Sequence, residues 1–257
     1  MLAELTAGSV EDAQRRAADL PLDRVRALAL EQPPARDALA ALAPSSRIKI
    51  IAEIKRASPS RGDLAELSDP AEWAASYERG GASVISVLTE QRKFKGSLDD
   101  LRAVKAAVSV PVLRKDFIAT EYQVYEARAA GADLVLLIVA ALDDDTLRRL
   151  SALIAELGMT ALVETHSAEE VDRAVAIGAT LIGVNARDLN TFALDRELFG
   201  RLAARIPAGI LKVAESAVLE PSDVARYREA GADAVLVGEA LVTGDPERRL
   251  REFRAVA

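Results

Sequence analysis

Gly131-Ala132-Asp133-Leu134-Val135 is one of four versions of a short phrase that recurs along this chain. Each version follows an amphipathic stretch and leads into an apolar run. This is the pattern of a glycine that ends a helix in a left-handed conformation, just before a buried strand. The versions lie roughly 50 residues apart, the length of two strand–helix units, so they mark alternate strands. The other three begin at Gly81, Gly178 and Gly231.

A second set of strands is predicted between these versions, so that strands and amphipathic helices alternate eight times. That alternation predicts an α/β fold, a (β/α)8 TIM barrel. The alternative is an open doubly wound sheet, but no G-x-G-x-x-G pattern follows the first strand. The intervening strands are predicted at 48–54, 110–113, 159–163 and 210–214, and the helices at 69–79, 98–107, 121–130, 144–157, 167–177, 195–204, 221–229 and 245–254.

Residues 1–47 lie outside the repeat. They contain two amphipathic stretches, followed by Pro33-Pro34 and an alanine-rich segment. We expect an N-terminal helical extension that either seals the bottom of the barrel or crosses its mouth. Because no low-complexity linker interrupts the chain, residues 1–257 are predicted to form a single domain.

Composition and charge exclude several classes of function. The 257 residues carry a net charge of −7, contain no cysteine and contain one histidine, His166. These numbers exclude disulfides, thiolate nucleophiles and a histidine-rich metal site, and they argue against a nucleic-acid partner. The longest apolar run, 134–142, is too short to span a bilayer, and residues 1–20 lack the pattern of a signal peptide. We expect a cytoplasmic protein that has no membrane partner and is a monomer or a weak homo-oligomer.

Five predicted strands end in ionisable or amide side chains. Because strand side chains alternate between faces, Glu53 and Lys55 share one face while Ala52 and Ile54 share the other. Buried charges are costly unless they meet and satisfy one another, which the strand ends of a barrel allow. One cavity lined by acids and amines can supply general acid–base catalysis. The alternative is an ion-pair network in a barrel core. The predicted cavity residues are Glu53, Lys55, Lys115, Glu164, Asn185 and Glu215.

Several other motifs have a local interpretation. The basic loop at 55–62 is suited to binding an anion; the alternative is an ordinary solvated loop. A Ser and a Gly after the seventh and eighth strands are where such barrels commonly bind phosphate. His166 is predicted to be structural or to support Glu164, and Asp143-Asp144-Asp145 to cap a helix rather than bind metal. Phe94 could close over a ligand.

Five stretches of the sequence together carry a family resemblance. They are Ile51-Ala52-Glu53-Ile54-Lys55-Arg56-Ala57-Ser58-Pro59-Ser60, Val112-Leu113-Arg114-Lys115-Asp116-Phe117, Leu162-Val163-Glu164, Gly183-Val184-Asn185-Ala186-Arg187-Asp188-Leu189 and Ala214-Glu215-Ser216. They closely resemble the indole-3-glycerol-phosphate synthase family. The resemblance runs from about residue 48 to residue 245, and its first two stretches are highly specific. It implies closure of an indole ring on 1-(2-carboxyphenylamino)-1-deoxyribulose 5-phosphate in tryptophan biosynthesis, a carbon–carbon lyase reaction without cofactor or metal.

The resemblance also implies roles. Lys115 would protonate the substrate ketone, and Glu164 and Lys55 would serve the later dehydration in an order that the sequence leaves open. Glu53 and Glu215 would orient these groups. Asn185, Phe117, Leu136, Arg187 and Leu189 would surround the anthranilate part, and Ser58, Ser216, Ala217, Gly238 and Glu239 would lie near the phosphate.

Physical chemistry adds one expectation, and the sequence departs from the family pattern at two positions. Burial and neighbouring cations are expected to lower the pKa of Lys115 towards neutrality. Ala217 stands where the family commonly has Gly; if φ is positive there, Ala costs about 1 kcal/mol. Ala186 replaces a frequent Asn, but its parity points it away from the cavity.

Two other functions compete with this assignment. One is a sugar-phosphate isomerase such as phosphoribosylanthranilate isomerase, which the combination of Lys55, Lys115 and Glu164 argues against. The other is a barrel that binds a phosphorylated metabolite without catalysis, which the set of acids and amines at the strand ends argues against.

Overall fold

The computed structural model describes residues 1–58, 62–63, 69–189, 191–242 and 244–256, with the main chain alone at 58, 62 and 63. Eight parallel strands form a closed ring in which each pairs with the next along the chain and the last pairs with the first. The predicted (β/α)8 barrel is therefore confirmed, and the open sheet is excluded. The strands are β1 (Lys49–Ile54), β4 (Val84–Leu88), β5 (Val112–Lys115), β6 (Leu134–Ile138), β7 (Thr160–Thr165), β8 (Leu181–Asn185), β9 (Leu211–Glu215) and β10 (Ala234–Val237), with a separate antiparallel pair, β2 (Ala57–Ser58) and β3 (Gly62–Asp63), after β1.

Helices connect the strands around the outside of the barrel. Except for the helix predicted at 195–204, their bounds agree with the predicted ones to within about two residues, which is the usual uncertainty of a boundary assignment. Asp143 caps the helix that follows it by accepting a hydrogen bond from the Thr146 amide, as predicted for the acidic run. The barrel helices are α4 (Pro70–Gly80), α5 (Leu98–Ala107), α6 (Glu121–Ala129), α7 (Asp144–Glu156), α8 (Ala168–Ala176), α9 (Leu198–Ala203), α10 (Pro221–Glu229) and α11 (Pro246–Arg254).

The prediction that α9 starts at Asp195 is wrong. The Asp195 amide instead donates to the carbonyl of Ala186, and Arg187 forms an isolated antiparallel bridge with Leu194. These contacts hold the chain extended across the end of β8, so the helix begins only at Leu198. The shorter helix leaves a folded loop beside the barrel mouth.

The recurring glycines end helices as predicted. Gly131 has φ of 92° and lies directly before the turn into β6, where its amide donates to the carbonyl of Arg128. A residue with a side chain is strained at such an angle, which explains the choice of glycine. The same left-handed conformation occurs at Gly81, Gly178 and Gly231.

Side chains of each strand alternate between two apolar layers. Ala52 and Ile54 point outward and pack beneath the helices. Ile51, Leu113 and Leu162 point inward and fill the barrel together with apolar residues from the other strands. Inward positions further along the same strands therefore open towards the mouth.

The N-terminal extension touches both ends of the barrel, so the two expected placements are combined rather than exclusive. Its helices are α1 (Leu2–Asp19), α2 (Leu22–Glu31) and α3 (Ala38–Leu42). Ser9 of α1 donates to Asp116, just after β5 at the mouth, while the Arg36 amide, just before α3, donates to Asp133, just before β6 at the bottom. Leu5 and Leu42 belong to the inner apolar cluster. The α2 helix lies along α6. None of the helices in the described part of the chain has both the length and the apolar character that crossing a bilayer requires.

Candidate active site

The polar ends of the strands meet at one cavity of about 800 Å³, here called the mouth cavity. It lies where the carboxyl ends of the strands point, as in other barrels of this type. All six predicted cavity residues line it: Glu53, Lys55, Lys115, Glu164, Asn185 and Glu215. Of the predicted binding residues, those that also line it are Phe117, Leu136, Arg187, Leu189, Ser216 and Glu239.

The remaining predicted binding residues have other positions. Ala217 and Gly238 line an adjoining recess of about 550 Å³, the rim recess, which also includes Ser216 and Glu239. The side chain of Ser58 lies outside the described part of the chain, although its main chain belongs to β2. Ala186 is buried and is not part of the mouth cavity lining, so its replacement of Asn leaves the cavity surface unchanged.

Lys115 is the central cation of the site. Its Nζ donates to Glu164 Oε2 at 3.3 Å and lies 3.6 Å from Glu215 Oε2. Burial lowers the pKa of Lys115. The negative charge of Glu164, together with those of Glu53 and of Glu215 once it ionises, outweighs burial and raises this pKa above its ordinary value. The expectation of a lowered lysine pKa is therefore wrong, because the nearest charges are anions rather than cations. Lys115 is an ammonium at neutral pH and can act as an acid.

Glu164 and Glu215 share this ammonium but differ in charge state. Burial raises the pKa of Glu164, yet Lys115 and His166 outweigh it and leave that pKa below its usual value. For Glu215, burial and the neighbouring charge of Glu164 raise the pKa well above its usual value. Two adjacent buried carboxyl groups beside one ammonium favour one ionised and one protonated partner. We assign the charge to Glu164 and the proton to Glu215.

Gly183 provides the space that Glu215 occupies. A Cβ atom on Gly183 would lie 2.0 Å from Glu215 Oε1, closer than any non-bonded contact allows. The paired register of β8 and β9 places Gly183 beside Val213, so the Glu215 side chain folds back over the glycine. Absence of a side chain at 183 therefore decides where the Glu215 carboxyl group lies.

Lys55 and Glu53 form a second ion pair at the end of β1. The Lys55 Nζ lies 3.1 Å from Glu53 Oε1, and both side chains are largely buried. Gly238, at the end of β10, approaches Glu53 so closely that a Cβ there would lie 2.9 Å from the carboxylate oxygen. The pair therefore borders both the mouth cavity and the rim recess.

Asn185 organises the turn after β9. Its Oδ1 accepts hydrogen bonds from the Ser216 hydroxyl at 2.8 Å and from the Arg187 amide at 3.0 Å. Ser216 and Ala217 both have positive φ, 66° and 58°. A residue with a side chain is strained at such angles, so Ala217 strains the main chain there, as expected if φ is positive.

Apart from Asp116, apolar side chains form the rest of the wall. The rings of Phe94 and Phe117 lie 6.2 Å apart at an interplanar angle of 40°. Strand parity alone could have found Leu88, Ile138 and Leu236, which occupy inward positions at the ends of their strands and also line the cavity. Phe192 lines it too, but its left-handed loop conformation carries no sequence signal.

A buried polar network behind Lys115 was not predicted. The fully buried Arg114 lies 3.0 Å from Asp116 Oδ2, and the Asp116 carboxylate accepts hydrogen bonds from Thr89 and from Ser9 of α1. Burial raises the pKa of Asp116, but Arg114 and the two hydroxyl donors outweigh it and lower this pKa. The network fixes both neighbours of Lys115 and ties α1 to the end of β5. The sequence Arg114-Lys115-Asp116 shows three charged residues in a row, but it does not show which way each side chain points.

His166 lies behind Glu164, outside the mouth cavity lining. Its Nε2 is 3.4 Å from Glu164 Oε1, and its Nδ1 is 3.3 Å from Glu170 Oε2. The prediction that His166 is structural or supports Glu164 agrees with its location. Trp73 packs edge-on against Tyr77 at the outer core.

The fold and the mouth cavity together define a (β/α)8-barrel enzyme with a cluster of acids and amines at the carboxyl ends of its strands. Residues 2–253 match the family model described as indole-3-glycerol phosphate synthase. A protein of that name from Leifsonia xyli subsp. xyli is 66% identical over 256 residues, which cover 100% of this chain and 98% of that protein. Another, from a Nocardioides species, is 56% identical over 257 residues, again covering 100% and 98%. The chain belongs to the indole-3-glycerol phosphate synthase family, which confirms the resemblance found in its sequence.

A more distant likeness concerns the fold alone. A thiamine phosphate pyrophosphorylase from Pyrococcus furiosus is similar with a TM-score of 0.62 and 15% sequence identity, over 81% of this chain and 95% of that chain. Identity this low supports the barrel architecture and carries no statement about activity.

Proposed function

We propose that this chain converts 1-(2-carboxyphenylamino)-1-deoxy-D-ribulose 5-phosphate to indole-3-glycerol phosphate, CO2 and water, as a carboxy-lyase of tryptophan biosynthesis. Family membership supports the reaction. The observation that carries it is the ammonium of Lys115, held within 3.6 Å of two carboxyl groups in a cavity whose remaining wall combines apolar and polar side chains. Such a charged donor, itself largely buried, is what ring closure onto a ketone requires.

In the first step we propose that Lys115 is the general acid. The aromatic carbon that bears the carboxylate attacks the ketone carbon, and a carbon–carbon bond forms. The electrons of the carbonyl double bond move onto its oxygen, which takes a proton from the Lys115 ammonium. The raised pKa of Lys115 keeps the proton in place until charge develops on that oxygen.

In the second step the bond between the ring carbon and CO2 breaks. Its electron pair restores the aromatic ring and neutralises the iminium nitrogen that ring closure created. The substrate itself thus accepts the electrons, so this step asks the protein only to hold the carboxylate over the ring. We propose that Asn185 and Arg187 position this anthranilate part, with Phe117, Leu136 and Leu189 packed around it.

In the last step the hydroxyl group formed in ring closure leaves as water, and the carbon next to nitrogen loses a proton. We propose that Glu164 and Lys55 perform these two transfers, one giving a proton and the other receiving one. Both line the mouth cavity, with Glu164 beside Lys115 and Lys55 beside Glu53. Glu53 and Glu215 would orient the two amines and the ribulose hydroxyl groups.

The phosphate is proposed to bind at the rim recess. There the left-handed turn at Ser216 and Ala217 and the chain at Gly238 and Glu239 line one recess after the last two barrel strands. This is where barrels of this type commonly bind phosphate through main-chain amides. Ser58, in the loop after β1, is proposed as a further phosphate contact. A phosphorylated small molecule is the kind of substrate consistent with the family.

We further propose that residues 1–257 work as one domain, in which 1–47 is a helical extension. Two observations support a single domain. Ser9 of the extension donates a hydrogen bond to Asp116, and Leu42 belongs to the same apolar cluster as the inward strand residues. A net charge of −7 opposes self-association through charge repulsion. We therefore propose a monomer or weak homo-oligomer, located in the cytoplasm.

The direct test is turnover of the anthranilate-derived ribulose phosphate, followed by the fluorescence of the indole product and by CO2 release. We expect one CO2 for each indole formed. A folded protein that leaves this substrate unchanged would refute the proposal. Formation of the ribulose phosphate from phosphoribosylanthranilate instead would support the isomerase alternative.

A further inference from the structure

His166 connects the buried acid–base cluster to a second opening. Its Nε2 faces Glu164 Oε1 across 3.4 Å, and neither atom has a hydrogen-bond partner among the described residues. On the other side, Nδ1 lies 3.3 Å from Glu170 Oε2, which also accepts a hydrogen bond from the His166 amide at 2.7 Å. The side chain of Glu164 is 1% exposed and that of His166 is 13% exposed, so the imidazole lies between a buried carboxylate and water.

The opening is a recess of about 610 Å³, here called the side recess. His166 lines the side recess together with Asn185 and the loop after β8, but it does not line the mouth cavity. A substrate in the mouth cavity would cover Lys115 and Glu164 from the front. The imidazole would still reach water through the side recess.

The proposed reaction gives such a connection a use because it consumes a proton. The substrate binds as a carboxylate, and its carboxylate leaves as neutral CO2. Two protons go to oxygen, one at ring closure and one when the hydroxyl leaves as water, and one proton returns from carbon. Each turnover therefore takes up one proton from solvent. A route through the side recess lets that proton enter while the substrate still covers the cluster, before the product leaves the mouth.

We propose that His166 is a proton-relaying residue that passes solvent protons from the side recess to Glu164, and through Glu164 to Lys115. The proposal rests on the proposed function, since that reaction sets the proton balance. His166 acts through Glu164 and does not touch the substrate, so it is a positioning residue and not a catalytic one.

The contact between His166 Nε2 and Glu164 Oε1 requires a proton on one of the two groups. If Nδ1–H donates to Glu170, a neutral His166 turns a lone pair of Nε2 towards the Glu164 carboxylate, which repels it. One proton between Nε2 and Oε1, on either group, makes the contact attractive. Glu164, Lys115 and His166 can therefore exchange one proton without any large movement.

The surrounding charges favour the charged imidazole. Burial lowers the pKa of His166, but Glu170 and Glu164 outweigh it and raise this pKa, with Lys115 opposing them. Glu164 belongs to β7 and Glu170 to α8, while Asp188 and Asp195 also line the side recess. Glu170 and Glu164 stabilise the proton that the relay carries.

The test compares two substitutions at His166 in the full-length protein. His166→Gln keeps an amide that can hydrogen-bond to Glu164 but cannot carry a proton, and His166→Ala opens space at the side recess. We expect kcat to fall about tenfold or more in both, with KM changed less than about twofold. Added imidazole should restore much of the lost kcat to His166→Ala in proportion to its concentration. Glu169→Gln, on the same helix, serves as the matched control and should retain wild-type kcat.

Each outcome decides the proposal. Wild-type kcat in His166→Gln, or no rescue of His166→Ala by imidazole, would overturn the relay while leaving the proposed function intact. An inactive wild-type protein would refute the proposed function, and the relay with it. A second measurement does not depend on turnover: His166 is the sole histidine, so its NMR signals need no assignment. Glu164→Gln should lower the pKa read from those signals, and an unchanged pKa would contradict the contact.

Discussion

The two ends of the barrel interior are built from the same strands but contain opposite kinds of side chain. At the bottom, Ile51, Leu113 and Leu162 pack over Leu42 of α3 in an apolar layer. Two residues further along the same three strands, the inward positions are Glu53, Lys115 and Glu164, which line the mouth cavity. One step of the strand period thus separates the part that stabilises the fold from the part that does chemistry. Changes at the two ends should therefore affect different measurements.

The largest effect is expected at the mouth, from Lys115→Met. It removes the acid of the first step, so kcat/KM should fall about 10³-fold or more. The circular dichroism spectrum should remain that of the wild type, since Glu164 can take up a proton when the ammonium is lost. Indole fluorescence measures the loss. Lys212→Met is the control: Lys212 lies near the start of β9, away from the mouth, so the variant should keep near-normal turnover. Comparable activity in the two variants would remove Lys115 from its role.

The bottom should show the opposite response in Leu42→Ala. This fully buried side chain closes the apolar layer, so its truncation should cost about 2–5 kcal/mol of unfolding free energy. Below the unfolding transition kcat should stay within about twofold of wild type. Urea titration measures the stability, with Leu30→Ala as control because Leu30 is 66% exposed. A large loss of kcat in the folded variant would show that the two ends are coupled.

Gly183→Ala tests how closely the mouth is packed. The new Cβ would displace the Glu215 carboxyl group, and misplacement of about 1 Å can cost about 10²-fold in rate. We expect kcat to fall by about that factor. Gly200→Ala is the matched control, because a Cβ there would meet its nearest neighbour at 3.8 Å. If both variants turn over like the wild type, the position of Glu215 does not matter for catalysis.

Glu215→Gln gives a smaller, pH-dependent effect on stability. The raised pKa of Glu215 means that the folded state holds its proton where the unfolded chain releases it, above about pH 4.3. Stability of the wild type therefore falls as pH rises from that point towards the folded pKa, and the neutral amide removes this loss. The stability difference in favour of Glu215→Gln should grow with pH in chemical unfolding experiments. Glu229→Gln, at an exposed position, should show no such trend. A variant less stable than wild type at pH 8 would contradict the protonated Glu215.

The smallest effect is expected from Ala217→Gly. At φ of 58° the alanine is strained, and glycine should recover about 1 kcal/mol of unfolding free energy. If the rim recess binds phosphate, KM should fall slightly as the turn relaxes. Ala130→Gly is the control: its φ is −82°, so the same substitution should destabilise. Equal effects at the two positions would mean that the turn is not strained.

Much of this comparison could be predicted from the sequence, because it depends on periodicity. The period of two along each strand identifies Glu53, Lys115 and Glu164 as sharing the inner face, and the glycine phrase counts the strands. Distances between strands could not be predicted in the same way. The pKa direction of Lys115 depends on which charges lie within about 4 Å, and parity does not say how deep each side chain reaches.

The N-terminal extension and His166 show a second limit. Contact between Ser9 and Asp116 joins residues 107 positions apart and follows no repeat. His166 points behind Glu164 because the chain turns into α8 directly after β7, a local geometry that spacing alone does not specify. Long-range contacts of this kind need coordinates, whereas the layers of the barrel do not.

The charge state of Lys115 is the most direct test of the account. Its side-chain nitrogen can be observed by NMR in the free protein, with Lys115→Arg identifying the signal. We predict an ammonium that persists at about pH 10, near the ordinary lysine pKa. Titration of this group to the neutral amine near pH 7 would contradict the arrangement of one cation held by carboxyl groups at the mouth.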